Sequence, residues 1–334
     1  MKSASLLLGL ACLLGAAAVQ AEDPIIIKFS HVVAADTPKG KAAERFAQLA
    51  KEKTNGRVEV MVYPNSTLFK DKEEMEALQL GSVQMLAPSL AKFGPLGVKE
   101  FEVFDLPYLF DDYDQLHKVT KGPVGKALLD KLADKGVLGL AYWDNGFKVM
   151  SANKPLREVK DFRGQKMRIQ SSKVLDAQMR ALGANPQVMA FSEVYQALQT
   201  GVVDGTENPP SNLYTQKMFE VQKYVTLSDH GYLGYAVIVN KVFWEGLPPD
   251  IRTALEAAMA EATDYANQIA KQENEDALAK VKASGKSELI TLTPEQKSSW
   301  KTALIKVHRQ MEDRVGKDLI QSIYQATGSD ASKL

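Results

Sequence analysis

The chain has 334 residues, of which 45% are hydrophobic and 25% are charged, an ordinary balance for a globular protein with room for two domains. Its 41 basic and 41 acidic residues give a formal net charge of zero. No basic surplus indicates a nucleic-acid partner, and no acidic tail indicates a strongly charged partner.

The first 21 residues differ from the rest of the chain. A positive start is followed by an apolar run, Leu6–Val19, and by small residues up to Ala21. This pattern predicts a signal peptide, residues 1–21, and export to a bacterial periplasm. The alternative is a membrane anchor, but the run is shorter than the ~20 residues that span a bilayer. The only cysteine, Cys12, has Gly9 three positions before it, so we expect no lipid anchor and no disulfide.

An alternation of strands and helices follows. Apolar or alternating runs predict strands at Ile25–Phe29, Val58–Tyr63 and Val83–Ala87. Helical spacing predicts helices at Lys39–Lys53 and Asp71–Leu80. Strands joined by helices in this order form a parallel sheet with helices on its faces.

The next segment combines an aromatic run with further strands. Phe101–Phe110 is predicted to be buried packing, and Leu116–Lys135 is predicted to be helical. Strands are expected at Val137–Trp143 and Phe147–Ser151. A turn is expected between them at Asp144–Gly146, because Asp, Asn and Gly favour turns.

Residues 166–210 contain two consecutive strand–helix alternations. The predicted strands are Met167–Ile169 and Pro186–Met189. Helices follow them from the pair Ser171-Ser172 and from Ser192, since a serine hydroxyl can cap a helix.

The last third of the chain is dominated by helices. Strands are predicted at Tyr224–Leu227 and Gly234–Asn240. A helix is predicted over about 249–283; at ~1.5 Å per residue it would be about 50 Å long, long enough to run across two domains. A final helix is expected over 293–315, followed by a polar tail.

Known catalytic and cofactor motifs are missing from this sequence. His31, His117, His230 and His308 are far apart and have no partner at metal-ligand spacing. There is no G-x-S-x-G elbow, no G-x-G-x-x-G and no Walker loop. We therefore expect no metal and no cofactor.

Asp204 and Glu207 leave one enzymatic alternative open. They are near neighbours in a predicted loop, and acid–base catalysis uses two facing carboxylates whose separation a sequence does not define. Solvated loop charges are the simpler interpretation.

The remaining indication of function is positive charge near the ends of predicted strands. Arg168 lies near one strand end and Asn208 follows another, where open α/β sheets bind ligands. A guanidinium can grip a carboxylate with two hydrogen bonds, although a surface salt bridge is the alternative. Lys148 has a similar position. Lys39 lies at a helix N-terminus, where a cation is unfavourable, so it either has an anionic partner or points to water. His31 lies in the loop that precedes this helix.

Several motifs extend over nearly the whole mature chain. They are Lys166–Ser172, Gly183–Pro186, Met189–Gly205, Glu207-Asn208, Phe104–Phe110, Asn145-Gly146 and Val239–Lys241. Together they resemble the substrate-binding proteins of tripartite ATP-independent periplasmic (TRAP) transporters, in their C4-dicarboxylate-binding branch.

The resemblance implies an α/β fold of two domains around a cleft, like other periplasmic binding proteins, with a long helix across the hinge. We expect domain I to comprise residues 22–145 and 234–273. Domain II is expected to comprise residues 146–233 and 274–334.

The resemblance also implies the roles of residues in the second domain. Arg168 would clamp a ligand carboxylate and Asn208 would help to hold it. Phe191 would pack on the ligand, and Ser171 would supply another polar contact.

The sequence departs from related proteins at two positions, and the resemblance implies a role for two further cations. Lys148 replaces the arginine of the sialic-acid-binding branch, which disfavours a bulky sugar acid. Thr206 replaces a glutamine found in many relatives, so the local loop contacts differ. By similarity, His31 and Lys39 would lie on the opposite domain and neutralise a second carboxylate.

These inferences predict a periplasmic receptor for malate, succinate or fumarate that delivers its ligand to a membrane permease. We expect a monomer without a nucleic-acid partner. The alternatives are a receptor for a keto, aromatic or sugar acid, a receptor that serves a sensor protein, and a periplasmic enzyme that uses Asp204 and Glu207.

Overall fold

The computed structural model describes residues 23–329, so the predicted signal peptide and residues 330–334 lie outside the described part. Within that part the strands are β1 (Ile25–Ser30), β2 (Val58–Tyr63), β3 (Met85–Leu86), β4 (Val137–Phe147), β5 (Val149–Ala152), β6 (Lys166–Ile169), β7 (Asn185–Val188), β8 (Gly205–Asn208), β9 (Tyr224–Leu227), β10 (Tyr232–Asn240) and β11 (Glu288–Thr291).

The α-helices of the same residues alternate with these strands. They are α1 (Pro38–Lys53), α2 (Glu74–Gln79), α3 (Tyr113–Thr120), α4 (Pro123–Asp130), α5 (Lys173–Ala181), α6 (Val194–Gln199), α7 (Pro210–Thr215), α8 (Lys241–Glu245), α9 (Pro249–Ser284), α10 (Pro294–Leu304), α11 (Lys306–Gln310), α12 (Glu312–Val315) and α13 (Lys317–Thr327).

The strands form two sheets. The first sheet has the order β2-β1-β3-β10-β4, with β1 parallel to β2 and β3 and with β10 antiparallel to its neighbours. The second has the order β11-β9-β5-β8-β6-β7, with β6 parallel to β7 and β8. The parallel sheet predicted from the first β-α-β-α-β alternation is confirmed.

The chain crosses between the sheets three times, and the two direct strand-to-strand crossings are adjacent. Only Lys148 separates β4 of the first sheet from β5 of the second, and the return runs from Leu227 to Tyr232. The Lys148 N–H donates to the Gly231 carbonyl over 2.8 Å, so the two crossings are hydrogen-bonded to each other.

The predicted turn at Asp144–Gly146 is wrong, because β4 continues to Phe147. Antiparallel pairing with β10 holds this segment extended. The polar side chains find partners there: Asp144 accepts from the Tyr232 hydroxyl over 2.7 Å, and Asn145 donates to the Tyr235 hydroxyl over 2.8 Å. Tertiary pairing overrides the local preference for a turn.

The long helix α9 is confirmed over 36 residues and ends at Gly285, which has a left-handed backbone. Small buried residues recur every fourth position along it, at Ala258, Ala262, Ala266 and Ala270. They allow the close packing of α9 on α1 and β4, while its later part contacts α7. The helix therefore contacts β4 of the first sheet, and its residue Val281 packs in the hydrophobic cluster of β5 and β9 of the second sheet.

Two of the other predicted helices are divided into shorter helices in the structure. The predicted helix at Leu116–Lys135 is divided at Gly122, since Pro123 begins α4. The predicted final helix is divided into α10, α11 and α12, and α13 follows. The buried run Phe101–Phe110 is confirmed.

Helix α13 packs on α3 and α4, beside the first sheet. Its buried face includes Ile320, Ile323 and Tyr324, which belong to the same hydrophobic cluster as Phe104 and Leu116. The predicted domain boundaries stay a prediction, and these contacts favour moving α13 from the second domain to the first.

Asn274 on α9 joins the crossing region to α7. Its side chain donates to the Asn145 carbonyl over 2.7 Å and accepts from the Ser211 N–H over 2.9 Å. Asn274→Leu is expected to lower the free energy of unfolding by about 1–3 kcal/mol, because the buried Ser211 N–H loses its acceptor. Urea denaturation measures this loss. The exposed neighbour Gln272 provides the control, since Gln272→Leu should change stability by less than about 0.5 kcal/mol.

Candidate functional site

Arg168 is buried near the end of β6, with 1% of its surface exposed. Its Nε and Nη2 groups donate to the Met189 carbonyl over 3.1 and 2.8 Å. These bonds fix one edge of the guanidinium and leave the Nη1–Nη2 edge, with its parallel N–H groups, for another acceptor. The surface salt bridge considered from sequence is wrong, because a surface pair would leave the side chain exposed.

Phe191 lies beside this arginine and connects it to the first sheet. The Arg168 Cζ is 5.7 Å from the centre of the Phe191 ring. The Phe191 N–H donates to Asp71 Oδ2 over 2.7 Å, and Lys92 Nζ lies 3.2 Å from the same oxygen. Asp71 precedes α2, so its carboxylate links the two halves of the molecule.

Asn208 shares a sheet face with Arg168. Arg168 is paired with Thr206 in the β6–β8 register, and side chains alternate along a strand, so Arg168, Thr206 and Asn208 project to one side. The Asn208 amide donates to Thr206 Oγ1 over 3.4 Å and is buried. The predicted loop position of Glu207 and Asn208 is wrong, because these two residues end strand β8.

Ser171 and Ser172 have different environments. Ser172 Oγ accepts from the Leu175 N–H over 3.4 Å and caps α5. Ser171 is partly exposed before that helix. A ligand contact from Ser171 remains a prediction.

Lys39 and His31 lie on the first-sheet side and both are buried. Lys39 Nζ donates to the Ala87 carbonyl over 2.8 Å and lies 3.8 Å from the centre of the Tyr235 ring. Burial lowers the pKa of Lys39 to about 8, against the opposing charges of Glu74 and Asp71, so the ammonium remains mostly charged at pH 7. The interpretation in which Lys39 points to water is wrong.

His31 supplies a hydrogen-bonding ring and no charge. Burial and the nearby Lys39 lower its pKa to about 3, so the imidazole is neutral at pH 7. Neither ring nitrogen has a hydrogen-bond partner within residues 23–329, and the same holds for Glu74 Oε1. Buried polar atoms are usually paired, so these atoms indicate a place where a polar ligand can complete the hydrogen bonding.

Lys148 does not join this group as a free cation. Its ammonium donates to Glu207 Oε1 over 2.8 Å, while Glu207 Oε2 accepts from Gln178 over 2.8 Å and is 2.7 Å from His230 Nε2. Burial works to raise the pKa of Glu207, but Lys148 and the His230 hydrogen bond outweigh it and hold this pKa well below its usual range. Lys148 therefore has a carboxylate of its own.

The carboxylates of the enzymatic alternative are engaged separately. Asp204 Oδ2 accepts from the Lys166 N–H over 2.8 Å. Glu207 is buried in the network just described, so it is not a solvated loop charge. The acid–base arrangement gains no support from these contacts.

Sequence reasoning missed Lys92, Asp71, Glu74 and Tyr235. Lys92 had a usable signal, because it interrupts the apolar run Leu90–Phe93. The other three carry no local pattern, since contacts between distant segments define their positions.

Buried cations between two α/β sheets, which are joined by two crossings and a shared helix, define a two-domain solute-binding protein. The profile of the family described as DctP, bacterial extracellular solute-binding protein, family 7, matches residues 29–314. The chain belongs to this family. Its members are solute receptors, so the receptor interpretation is favoured over the enzyme.

Relatives and solved structures agree with this assignment. The chain is 68% identical to the C4-dicarboxylate-binding periplasmic protein DctP of Rhodobacter capsulatus, across 91% of this chain and 92% of that protein. A TRAP periplasmic solute-binding protein from Sulfurospirillum deleyianum with bound succinate is similar with a TM-score of 0.88 and 51% identity, covering 90% of this chain and 98% of that one. Another, from Pseudomonas aeruginosa with bound L-malate, has a TM-score of 0.84 and 45% identity, covering 86% and 100%.

Residues 23–329 contain no helix that is both long and apolar enough to cross a membrane. They also contain no cluster of three or more His, Cys, Asp or Glu residues suited to a metal ion.

Proposed function

We propose that this protein is a periplasmic receptor for a C4-dicarboxylate such as succinate, malate or fumarate. The observation that carries the proposal is Arg168, a buried guanidinium with one edge fixed and one edge left for a carboxylate. The names and bound ligands of the relatives, a C4-dicarboxylate, succinate and L-malate, support the same ligand class.

The first carboxylate of the ligand binds Arg168. Two parallel N–H···O bonds match the geometry of a carboxylate. Asn208 lies on the same sheet face, and the Phe191 ring beside the guanidinium packs on the carbon chain. Ser171, which follows Arg168 closely in the sequence, adds a hydrogen bond to the same carboxylate.

The second carboxylate binds on the first-sheet side. Lys39 supplies positive charge there, and the neutral His31 supplies a hydrogen bond. Lys148 is the weakest of the predicted contacts because Glu207 already neutralises it.

A ligand with a carboxylate at each end favours the closed arrangement of the two domains. Both ends are paired only when the domains approach, so the ligand binds the closed state more tightly than the open state. The closed receptor then delivers its ligand to the membrane permease of a TRAP transporter. Export by the predicted signal peptide and a monomeric state belong to the same proposal.

Thermal melting with a panel of organic acids tests the function. Succinate, malate or fumarate at ~100 times its Kd should stabilise the protein by about 2.7 kcal/mol, which raises the melting temperature by roughly 4 °C. Adipate, keto, aromatic and sugar acids form the comparison set. A shift with one of those acids and none with any C4-dicarboxylate would assign a different ligand, and turnover of the bound acid seen by NMR would support the enzyme.

A further inference from the structure

Lys92 is a buried lysine that the site described so far leaves without a role. It ends a short 3-10 helix, Leu90–Lys92, that is the next helix after β3, and 7% of its side chain is exposed. Its neighbours Ala91 and Phe93 are buried apolar residues. An ammonium in such a position is costly unless anions surround it.

Asp71 is a partner for only part of the Lys92 ammonium. The Nζ–Oδ2 distance is 3.2 Å, and the same oxygen also accepts from the Phe191 N–H. An ammonium carries three N–H donors, and one shared carboxylate oxygen takes one of them. The Phe191 ring in turn lies beside Arg168, so Asp71 and Phe191 connect Lys92 to the arginine that binds the first carboxylate.

The charges around this position do not balance. Lys39, Lys92 and Arg168 are three buried cations, and Asp71 is one buried anion. Lys92 and Arg168 hold the pKa of Asp71 below its usual range against the effect of burial, so it is ionised. Burial and the negative charge of Asp71 raise the pKa of Glu74 to about 8. Even with Glu74 ionised, the three cations outnumber these two carboxylates, so the position retains positive charge that suits an anionic ligand.

We propose that Lys92 binds the second carboxylate of the ligand and thereby selects dianions over monoanions. This inference rests on the proposed function, because it assumes that Arg168 holds the first carboxylate. Lys92 acts there together with Lys39 and the neutral His31, as the second buried cation on the first-sheet side. Lys148, at the crossing, is already paired with Glu207.

Calorimetric titration with succinate and with succinamate tests the role of Lys92. Succinamate has the same length and shape but a neutral amide at one end. The wild type should bind succinate more tightly. Lys92→Met should weaken succinate binding about 30-fold or more and succinamate binding about 3-fold or less, so the preference falls roughly tenfold. The exposed Lys99 on the neighbouring 3-10 helix gives the control, because Lys99→Met should leave both affinities unchanged.

A second variant guards against loss of folding. Lys92→Met leaves Asp71 without its cation, so the double variant Lys92→Met/Asp71→Asn removes both charges and preserves an acceptor for the Phe191 N–H. It should show the same loss of preference. An unchanged succinate-to-succinamate ratio in the folded variants overturns the inference alone. A wild-type protein that binds no dicarboxylate overturns the proposed function as well.

Discussion

Replacing Arg168 with methionine is expected to weaken succinate binding by about 30-fold or more, equivalent to at least ~2 kcal/mol. The substitution removes the fork of N–H groups beside Phe191, and it leaves a ligand carboxylate desolvated without its cation. Arg168→Lys retains the charge but cannot bind the Met189 carbonyl and both carboxylate oxygens together. It should recover only part of the affinity.

Calorimetry with folded variants measures both effects. Arg180 is the matched control, because it lies on α5 with 64% of its side chain exposed in a pair with Asp176. Arg180→Met should bind succinate like the wild type. Wild-type affinity in Arg168→Met would refute the role of this residue as the carboxylate clamp.

Replacing Glu207 with glutamine is expected to lower the free energy of unfolding by about 3–5 kcal/mol at pH 7. Glu207 is the hydrogen-bonded counter-charge of Lys148 in the first crossing and also contacts His230 in the second. Glutamine preserves the shape and removes the charge, so the buried Lys148 ammonium loses its hydrogen-bonded counter-charge. Guanidinium denaturation at pH 7 measures the loss.

The pH dependence has a defined direction. The pKa of Glu207 is depressed in the folded protein, so its contribution is complete above its ordinary pKa of about 4.5 and is lost as the pH falls below that value. The difference between wild type and Glu207→Gln should therefore shrink below about pH 4.5. Lys148→Met/Glu207→Gln should recover part of the stability at pH 7, since it removes the uncompensated charge.

An exposed pair supplies the reference for this experiment. Glu288 and Arg157 are 3.3 Å apart, and 58% and 45% of their side chains are exposed. Glu288→Gln should change stability by less than about 1 kcal/mol. A similarly small loss in Glu207→Gln would show that the buried network is not a stabilising contact.

Strands and helices with a regular apolar period were predictable from the chain. Val58–Tyr63 and Tyr224–Leu227 have the predicted limits, and α9 ends one residue past the predicted limit. Polar segments that pair with distant strands were not predictable. Asp144–Gly146 has turn residues and nevertheless continues β4, because β10 supplies its hydrogen bonds and Tyr232 and Tyr235 satisfy its side chains.

The residues of the candidate site were likewise only partly predictable from the sequence. Arg168 was selected as a cation at a strand end, and it is buried there as expected for a ligand-binding group. Lys148 was selected by the same criterion, but the structure pairs it with Glu207, whose distance from it in sequence conceals the contact. Lys92 and Asp71 escaped selection because neither lies in a recognised motif, although Lys92 interrupts an apolar run.

By itself, the sequence determined the α/β class, the parallel start of the first sheet, the long helix and the arginine at the end of β6. Hydrophobic periodicity and strand-end position are local properties, which any fold of this class must obey. Tertiary structure decided which charges are compensated. It pairs Lys148 with Glu207, and it gathers Lys39, Lys92 and Arg168 near the carboxylate of Asp71. Charge balance in a buried site depends on distances between segments far apart in sequence, and only the folded chain defines those distances.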